Sequence, residues 1–409
     1  MSYPTLRLHP RKEESVLRFH PWIFSGAIAS FSAPVEDGDL VSVVDSKGRP
    51  LGTGHFGGGS IAVRLLSFDA EEVIDRAFYK RRLEAALRLR LSCDLVRPVG
   101  SSDSPNTTYR LVHGEGDSLP GLIIDIYDRT AVVQAHSLGM HQARQTIAEV
   151  LWEVFAEAGD PVLSLEGIYY KSETTLPTRD MRELASDGFL IGHTEAAPIY
   201  ENGVRFTPDW LKGQKTGFFI DQRDNRALVA HYAKGRTVLN AFCYTGGFSI
   251  YALHAGAKRV DSLDSSAKAM YLTEQHVALN FGTDCPRHHS VTEDAFDYLE
   301  RMPEGEYDLI ILDPPAFAKH RKVLRNALIG YRKINSIAFK KVAPGGIVFT
   351  FSCSQAVSKE EFRLAVFTAA AASGRKVRIL HQLTQPVDHP INIYHPEGEY
   401  LKGLVLYVE

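Results

Sequence analysis

The sequence lacks the apolar runs that mark membrane-spanning and exported chains. No window approaches the roughly 18 continuous apolar residues that a membrane-spanning helix needs. The stretch before Trp22 is rich in charged and polar residues and has no apolar core of the kind found in signal peptides. We therefore expect a cytoplasmic protein with no membrane partner.

Cysteine is also scarce, with 4 among 409 residues. The spacing of the cysteines matches neither a disulfide framework nor a zinc site, so we expect reduced thiols and no bound metal. The adjacent His288 and His289 lack the spaced partners of a metal site, and a solvated loop is the plainer interpretation. The four cysteines are Cys93, Cys243, Cys285 and Cys353.

The chain has no excess of positive charge, since its formal net charge is −3 with 44% apolar and 23% charged residues. This composition is ordinary for a globular protein and carries no overall signature of nucleic-acid binding. Any RNA contact must come from local basic patches, for which a solvated face is the alternative. One patch comprises Arg76, Lys80, Arg81, Arg82, Arg88 and Arg90, and the other comprises Lys319, Arg321, Lys322 and Arg325.

Three regions of different pattern follow one another along the chain. Residues 1–72 are β-rich, with alternating segments on either side of a turn from Asp45 to Gly48. Residues 73–190 contain most of a basic amphipathic helix over about 71–92 and continue as a small α+β unit without a catalytic constellation. Its strands are predicted near 109–112, 122–126 and 131–135, and its helix over 140–158.

Residues 191–409 change to a strand, turn and helix pattern that repeats from about residue 236. That alternation is typical of a doubly wound parallel sheet with helices on both faces, which is the α/β class. Ligands of such sheets bind at the carboxyl ends of the strands. Strands are predicted at 237–241, 259–263, 309–312 and 346–351.

A glycine turn after the first of these strands gives the clearest indication of a ligand. Gly246 and Gly247 leave room for a ligand against the backbone, and the pyrophosphate fingerprint G-x-G-x-x-G is absent. Asp264 ends the next strand, where a carboxylate accepts hydrogen bonds from a ribose diol, and Asp294 follows the third strand region. Together these features favour S-adenosylmethionine over a nicotinamide cofactor, although a plain βα turn explains the glycines alone. Cys243 is expected to pack in the core.

Two further side chains at the ends of strands point to chemistry on a base. Asp313 precedes Pro314 and Pro315, which stiffen the turn, so that its carboxylate is fixed to hold a nucleobase while Phe317 stacks on it. Cys353 follows the next strand between two serines. Methylation of cytosine at C5 needs a thiolate that first adds to C6, and this role would separate Cys353 from an ordinary core cysteine.

At several stretches the sequence resembles the bacterial 23S ribosomal RNA large subunit methyltransferase I family, which makes 5-methylcytosine. The matching stretches occur in the same order along nearly the whole chain. They are Leu17-RFHPWIFSGAI, Gly213-QKTGFFIDQRDNR, Leu239-NAFCYTGGFS, Asp313-PP, Gly330-YRKIN, Phe351-SCS and Asp388-HPINIYHPEGEYLKG.

The resemblance implies an N-terminal PUA domain, a central α+β domain and a C-terminal Rossmann-like S-adenosylmethionine-dependent methyltransferase domain. We place these domains at 1–72, 73–190 and 191–409. The resemblance also implies that Cys353 is the nucleophile and Asp313 the acid that binds the base. The expected partner is RNA, specifically 23S ribosomal RNA, rather than DNA, and whether the chain forms a homodimer is left open.

The resemblance and the patterns together give two sets of contact residues. Ala316 stands where the family commonly has lysine, so a phosphate contact there would have to come from Lys319. The cofactor set is Phe219, Gln222, Arg223, Asn240, Phe242, Tyr244, Thr245, Gly246, Gly247, Asp264, Asp294 and Asp313. The substrate set is Arg81, Arg82, Lys215, Pro314, Pro315, Phe317 and Lys319.

Two other functions fit part of the pattern. An RNA guanine-N2 or adenine-N6 methyltransferase would use Asp313 and its prolines to bind an amine and would need no thiol. A non-catalytic ribosomal RNA-binding assembly factor would keep the fold without the chemistry, but the intact glycine turn, Asp264 and Cys353 argue against it. The favoured prediction is an enzyme, an S-adenosylmethionine-dependent ribosomal RNA (cytosine-C5) methyltransferase.

Overall fold

The computed structural model describes residues 3–100, 103–159, 163–177, 186–318 and 320–409. They form two compact units. Unit 1 comprises Met1–Gly203, Thr207–Ile220 and Val387–Gly398, and unit 2 comprises Val204–Phe206, Asp221–Pro386 and Glu399–Glu409. Within the described ranges, none of the helices is both long and apolar enough to span a bilayer.

Unit 1 begins with a six-stranded sheet in the order β2-β6-β5-β4-β1-β3. The predicted turn joins two antiparallel strands as expected, because the Asp45 Oδ1 atom accepts hydrogen bonds of 2.8 Å from the backbone N–H groups of Lys47 and Arg49. The elements are β1 (Thr5–Leu8), α1 (Glu14–Leu17), β2 (Trp22–Phe24), β3 (Ile28–Phe31), β4 (Leu40–Val44), β5 (Pro50–Phe56) and β6 (Ile61–Ser67).

The rest of unit 1 is built on a five-stranded sheet in the order β11-β10-β9-β8-β7. The helix predicted over 140–158 is wrong as a single element, because Ala143 has a ψ of −5° and separates two helices. The elements are α2 (Arg76–Ser92), β7 (Thr108–His113), β8 (Leu122–Tyr127), β9 (Thr130–Ala135), α3 (Leu138–Gln142), α4 (Arg144–Glu157), β10 (Gly167–Tyr170), β11 (Gly188–Gly192) and β12 (Ile199–Glu201).

Unit 2 is a seven-stranded sheet in the order β16-β15-β14-β17-β18-β20-β19, which confirms the predicted α/β class. The strands are β13 (Val204–Phe206, outside this sheet), β14 (Thr237–Ala241), β15 (Arg259–Asp264), β16 (His288–Thr292), β17 (Leu309–Leu312), β18 (Gly346–Ser352), β19 (Val377–Leu383) and β20 (Lys402–Val408). The helices are α5 (Arg223–Ala233), α6 (Gly247–His254), α7 (Ala267–Phe281), α8 (Ala295–Arg301), α9 (Leu324–Lys341) and α10 (Lys359–Ser373).

Two features of this sheet differ from the sequence prediction. The expected loop at His288 and His289 is wrong, since both residues lie in the edge strand β16, which is mostly exposed and carries no apolar pattern. The last two strands, β19 and β20, were not predicted, and β20 runs antiparallel to both β18 and β19. The strand order changes direction at β14, which lies between β15 and β17, so that the carboxyl ends of these parallel strands open a crevice.

Candidate active site

The glycine turn of unit 2 has an unusual backbone. Phe242 (φ 58°), Tyr244 (φ 47°) and Gly246 (φ 77°) all lie in the left-handed region, which side-chain-bearing residues rarely adopt. A Cβ atom at Gly246 would lie 2.6 Å from the Thr273 Cγ2 atom, so close packing as well as the backbone conformation requires glycine there. The turn therefore has one specific shape between β14 and α6.

Helix α7 braces this turn from one side. The Thr273 hydroxyl donates to the Tyr244 carbonyl at 3.0 Å, and the His276 Nδ1 atom lies 2.9 Å from the Thr245 carbonyl oxygen. Cys243 is buried with its Sγ atom 3.5 Å from the Met270 Sδ atom, and burial raises the pKa of its thiol. Cys243 thus packs in the core as predicted, and the turn is held in place before any ligand binds.

Asn240, which was predicted to contact the cofactor, is fully buried in β14. Its side-chain amide donates to the Ser249 hydroxyl at 2.9 Å. Ser249 in turn lies 2.6 Å from the Ser262 hydroxyl, which lies 2.8 Å from the His288 Nε2 atom. The structure therefore assigns the Asn240 amide to an internal polar chain that links neighbouring strands.

The two acids predicted to bind the cofactor follow β15 and β16. The Asp264 Oδ2 atom accepts a hydrogen bond of 3.0 Å from the Tyr244 N–H, and its Oδ1 atom accepts one of 2.9 Å from the Ser266 N–H. The half-buried Asp264 carboxylate is thus fixed against the glycine turn. Asp294 is exposed and caps α8 through hydrogen bonds from the Phe296 and Asp297 N–H groups, a structural role that the sequence analysis did not include.

The segment before α5 reaches the predicted base-binding acid. The Gln222 side-chain amide donates to the Asp313 Oδ2 atom at 3.1 Å, and the Asn225 amide holds the Gln222 Oε1 atom at 2.6 Å. Arg223 is buried, with its Nε atom 3.4 Å from Asp224. The structure therefore brings Gln222 and Asp313 together at one end of the sheet.

Two members of the predicted set belong to unit 1 instead. The Lys215 ammonium lies 4.2 Å from the centre of the Phe219 ring, a cation–π distance. Lys215 is exposed and has a φ of 50°. Both residues lie in the Thr207–Ile220 segment, whereas Gln222 lies in unit 2.

Cys353 and Asp313 each follow the last residue of adjacent parallel strands, β18 and β17. Cys353 is half-buried, whereas its neighbours Ser352 and Ser354 are each 1% exposed. The Ser354 hydroxyl donates to the Ala318 carbonyl at 2.5 Å, which ties the turn after β18 to the loop after Asp313. The flanking serines are therefore structural, and the thiol between them is the side chain that remains accessible.

A row of aromatic rings lies beside this pair of loops. The Phe317 ring centre is 4.7 Å from Tyr331 and 6.2 Å from Phe296, and Phe296 is 6.4 Å from Phe242. Burial raises the pKa of the Tyr331 hydroxyl to about 12, and the charges of Cys353 and Asp313 act on it in the same direction. Sequence reasoning missed Phe296 and Tyr331, although the Gly330-YRKIN stretch contains the latter. Pro314 is buried and Pro315 is exposed.

Sequence reasoning also missed Lys402, which lies on β20 and is 5% exposed. Its ammonium donates hydrogen bonds to the carbonyl oxygens of Ser354 (2.6 Å) and Val357 (2.8 Å). Burial lowers the pKa of Lys402 to about 8, against the opposing effect of the Cys353 charge. The only signal in the sequence was the position of this lysine in the last stretch of the resemblance, Asp388-HPINIYHPEGEYLKG.

The basic helix α2 is largely committed to ion pairs within unit 1. Arg81 donates to the Glu72 Oε1 atom at 2.8 Å, and Arg82 lies 3.5 Å from its Oε2 atom. The sequence analysis placed Arg90 in a basic surface patch, and this prediction is wrong. Arg90 is fully buried and bonded to Asp117. Arg76 and Lys80 bond to three acids of α4, Glu149, Glu153 and Glu157.

The second basic patch is only partly described. Lys319 lies outside the described residues, and Arg321 forms an ion pair of 3.1 Å with Glu361.

Unit 1 contains a group of side chains that could hold a metal ion, formed by His20, His395 and Glu397. Their three potential ligand atoms lie within 4.8 Å of one another. The His20 Nε2 atom lies 3.3 Å from the Glu397 Oε2 atom, and this direct contact accounts for that arrangement without a metal.

The chain is similar to known proteins over its whole length. A family model described as S-adenosylmethionine-dependent methyltransferase matches residues 178–394, and one described as PUA-like domain matches residues 6–68. Two curated relatives named Ribosomal RNA large subunit methyltransferase I are each 40% identical: that of Shewanella denitrificans covers 98% of both chains, and that of Aeromonas salmonicida covers 97% of both.

A solved structure shares the fold. The crystal structure of SMU.776 complexed with SAH superposes with a TM-score of 0.82 at 23% sequence identity and covers 100% of both chains. At that level of identity the likeness concerns the fold alone.

Proposed function

This chain belongs to the ribosomal RNA large subunit methyltransferase I family of S-adenosylmethionine-dependent methyltransferases, and we propose that it methylates C5 of a cytosine in 23S ribosomal RNA. Family membership supplies the ribosomal RNA as substrate class. The choice of cytosine C5 rests on one observation: an accessible thiol, Cys353, next to an acid, Asp313, at the ends of two adjacent strands. Methylation of an exocyclic amine would have no use for that thiol.

The residues present fit S-adenosylmethionine. The Asp264 carboxylate is fixed at the carboxyl end of β15, where acids of α/β sheets accept hydrogen bonds from ribose hydroxyls. The glycine turn beside it is braced by Thr273 and His276, so the cradle is preorganised. When bound, the cofactor supplies an electrophilic methyl group on a sulfonium. We propose that Asp264, Gly246 and Gly247 hold it.

The protein groups act on the base in a defined order. The Cys353 thiolate adds to C6 of cytosine, and the electron pair of the C5–C6 double bond moves so that C5 becomes nucleophilic. Asp313, held by Gln222, shares a proton with N3 and in this way stabilises the nucleobase as negative charge builds there. After C5 has taken the methyl group, a general base removes the C5 proton. The C5–C6 double bond then re-forms and the Cys353 thiolate leaves C6. We propose that Phe317, whose ring packs against Tyr331, stacks on the nucleobase.

Contacts with the rest of the RNA stay predictions. We propose that the PUA-like region, the exposed Arg81 and Lys215, and the half-buried Arg82 contribute to binding of the RNA backbone. The ion pairs of Arg81 and Arg82 with Glu72 reduce the charge that these two side chains can offer. The match over residues 6–68 supports the proposed domain at 1–72, and the match over residues 178–394 overlaps the proposed domain at 191–409. The domain at 73–190 stays a prediction.

The product nucleoside tests the proposed function. We expect 23S ribosomal RNA from a strain lacking this protein to lose one 5-methylcytosine and to regain it when the wild-type protein is supplied. Nucleoside digestion followed by mass spectrometry measures the change. A variant with Cys93→Ala, which removes an exposed cysteine of unit 1, should restore the modification as well as the wild type does. Loss of N2-methylguanosine or N6-methyladenosine instead would replace the C5 assignment with amine methylation.

Cofactor affinity tests the role of Asp264. We expect Asp264→Ala to weaken S-adenosylmethionine binding by about 1.5–3 kcal/mol, because a hydrogen bond to a charged acceptor would be lost. Isothermal titration calorimetry measures the affinity, and Asp284→Ala, which removes an exposed acid after α7, is the matched control. Since Asp264 also bonds to the glycine turn, the melting temperature of both variants is measured alongside. Unchanged affinity in a folded Asp264→Ala protein would remove this residue from the cofactor site.

A further inference from the structure

A buried lysine with no role in the chemistry described so far lies beside the nucleophile turn, defined as residues 353–357. Lys402 pairs across the sheet with Ser352, the residue that precedes Cys353. Lysine is almost never fully buried unless its charge is compensated, so its 5% exposure requires a reason. The two hydrogen bonds to the Ser354 and Val357 carbonyls fix both ends of the turn.

The carbonyl oxygens of Ser354 and Val357 need hydrogen-bond donors but not a positive charge, because a neutral side chain of suitable length could also donate to them. An ammonium has three N–H donors, and the two carbonyls use two of these. The nearby acids, Glu361 and Glu399, make their ion pairs with Arg321 and Lys359 respectively. Four charged or titratable groups act on the pKa of Lys402. They are Cys353 after β18, Glu399 before β20, and Glu361 and Lys359 from α10.

We propose that Lys402 is a positioning residue that holds the nucleophile turn and, as an ammonium ion, stabilises the thiolate form of Cys353. The inference rests on the proposed function, in which that thiolate attacks C6. Only the thiolate is nucleophilic, and a cation nearby in a partly buried place favours it at neutral pH. Because burial lowers the pKa of Lys402 to about 8, the ammonium persists at pH 7, and its effect on the thiol weakens as the pH rises past that value.

The same environment explains why neighbouring groups do not replace Lys402. Tyr331 and Asp313 are two further titratable groups of this region, since the charges of Cys353 and Asp313 both act on the Tyr331 hydroxyl. A tyrosine whose pKa is raised to about 12 stays neutral, and an ionised Asp313 opposes the thiolate rather than assisting it. Lys402 is a buried cation whose two hydrogen bonds fix it against the nucleophile turn.

The pH dependence of thiol alkylation tests the proposal in the intact chain. Wild-type protein is treated with iodoacetamide over a range of pH, and peptide mass spectrometry follows each cysteine separately. The exposed Cys93 of unit 1 serves as an internal reference within the same sample. We expect the alkylation midpoint of Cys353 to fall below that of Cys93. A midpoint equal to or above that of Cys93 would overturn the proposal without any variant.

Three variants separate charge from packing. Lys402→Met should move the Cys353 midpoint upward and slow alkylation at pH 7 by about tenfold, which corresponds to one pH unit. Lys402→Arg keeps the cation and should retain most of the reactivity, and Lys359→Met, which removes a neighbouring exposed cation, should leave the midpoint nearly unchanged. A Lys402→Met protein that melts earlier but keeps the wild-type midpoint would show a purely structural lysine.

These readouts separate this inference from the proposed function. If the midpoint shifts as expected but Cys353→Ala still methylates RNA, the C5 mechanism fails and the electrostatic coupling remains. If Cys353→Ala is inactive but the midpoint does not respond to Lys402→Met, the mechanism remains and the role of Lys402 is refuted. Turnover of Lys402→Met, measured with saturating RNA, should fall together with the alkylation rate at pH 7.

Discussion

Replacing Cys353 with alanine should reduce methyl transfer by about a thousandfold or more, because the proposed reaction has no alternative nucleophile to add to C6. Affinity for S-adenosylmethionine should stay close to that of the wild type, since Cys353 follows β18 and the proposed cofactor residues follow β14 and β15. Single-turnover transfer of a labelled methyl group to RNA, with calorimetry of cofactor binding, measures both quantities.

A covalent trap distinguishes loss of a nucleophile from loss of structure. RNA that contains 5-fluorocytosine at the target should form a stable adduct with the wild type, because fluorine at C5 blocks the final proton removal and the thiolate cannot leave. Denaturing gel electrophoresis with labelled RNA would show a shifted band, which Cys353→Ala should lack and Cys243→Ala, the buried cysteine of the glycine turn, should keep if it folds. An unshifted wild-type band together with an active Cys353→Ala enzyme would refute the thiol mechanism and favour amine methylation.

Replacing Arg90 with methionine should destabilise unit 1 by about 3–5 kcal/mol, the usual result when one partner of a buried ion pair is removed. Arg90 is 0% exposed, and its guanidinium donates to Asp117 at 2.8 Å and to the backbone carbonyls of Arg110 (2.7 Å) and Asp388 (2.8 Å). The substitution leaves the Asp117 carboxylate buried without its cation, and the carbonyl oxygens of Arg110 and Asp388 lose the guanidinium that donates to them. Urea unfolding followed by circular dichroism measures the loss.

The same helix supplies the control. Arg88 is exposed, and its nearest acid is Glu84 at 3.9 Å, so Arg88→Met should change the free energy of unfolding by no more than about 0.5 kcal/mol. Similar effects of the two substitutions would show that the buried network around Arg90 contributes little. The contrast matters for function too, because Arg90 cannot contribute to an RNA-binding face while its charge is compensated inside unit 1.

The sequence was sufficient to predict the α/β class of unit 2, four strands of its sheet and the order of its site residues. Short apolar segments, each followed by glycine or acidic residues, recur along this part of the chain and indicate strands. Four of them, β14, β15, β17 and β18, lie within one residue of their predicted bounds. The carboxyl ends of parallel strands meet at one edge of a sheet, so Asp264, Asp313 and Cys353 could be assigned to a common crevice from their positions alone.

Other assignments depended on partners that are distant in the chain. Arg90 and Arg88 look alike in the sequence, yet one is buried against Asp117 and Asp388 while the other faces solvent. His288 and His289 lie in a strand because β15 provides the backbone partners for an edge that carries no apolar pattern. Lys402 gave no sign of its contact with the turn after Cys353, because that contact exists only once β20 pairs antiparallel with β18.

What the sequence by itself determined is therefore the local and periodic part of the molecule: its elements, its glycine turn, its fold class and, through the resemblance, its family. What only the tertiary structure decided is which charges are buried, which are compensated and which face the nucleophile. The physical reason is that backbone propensity and apolar periodicity act over a few residues. Burial and electrostatic compensation are set instead by groups that folding brings together from positions tens or hundreds of residues apart.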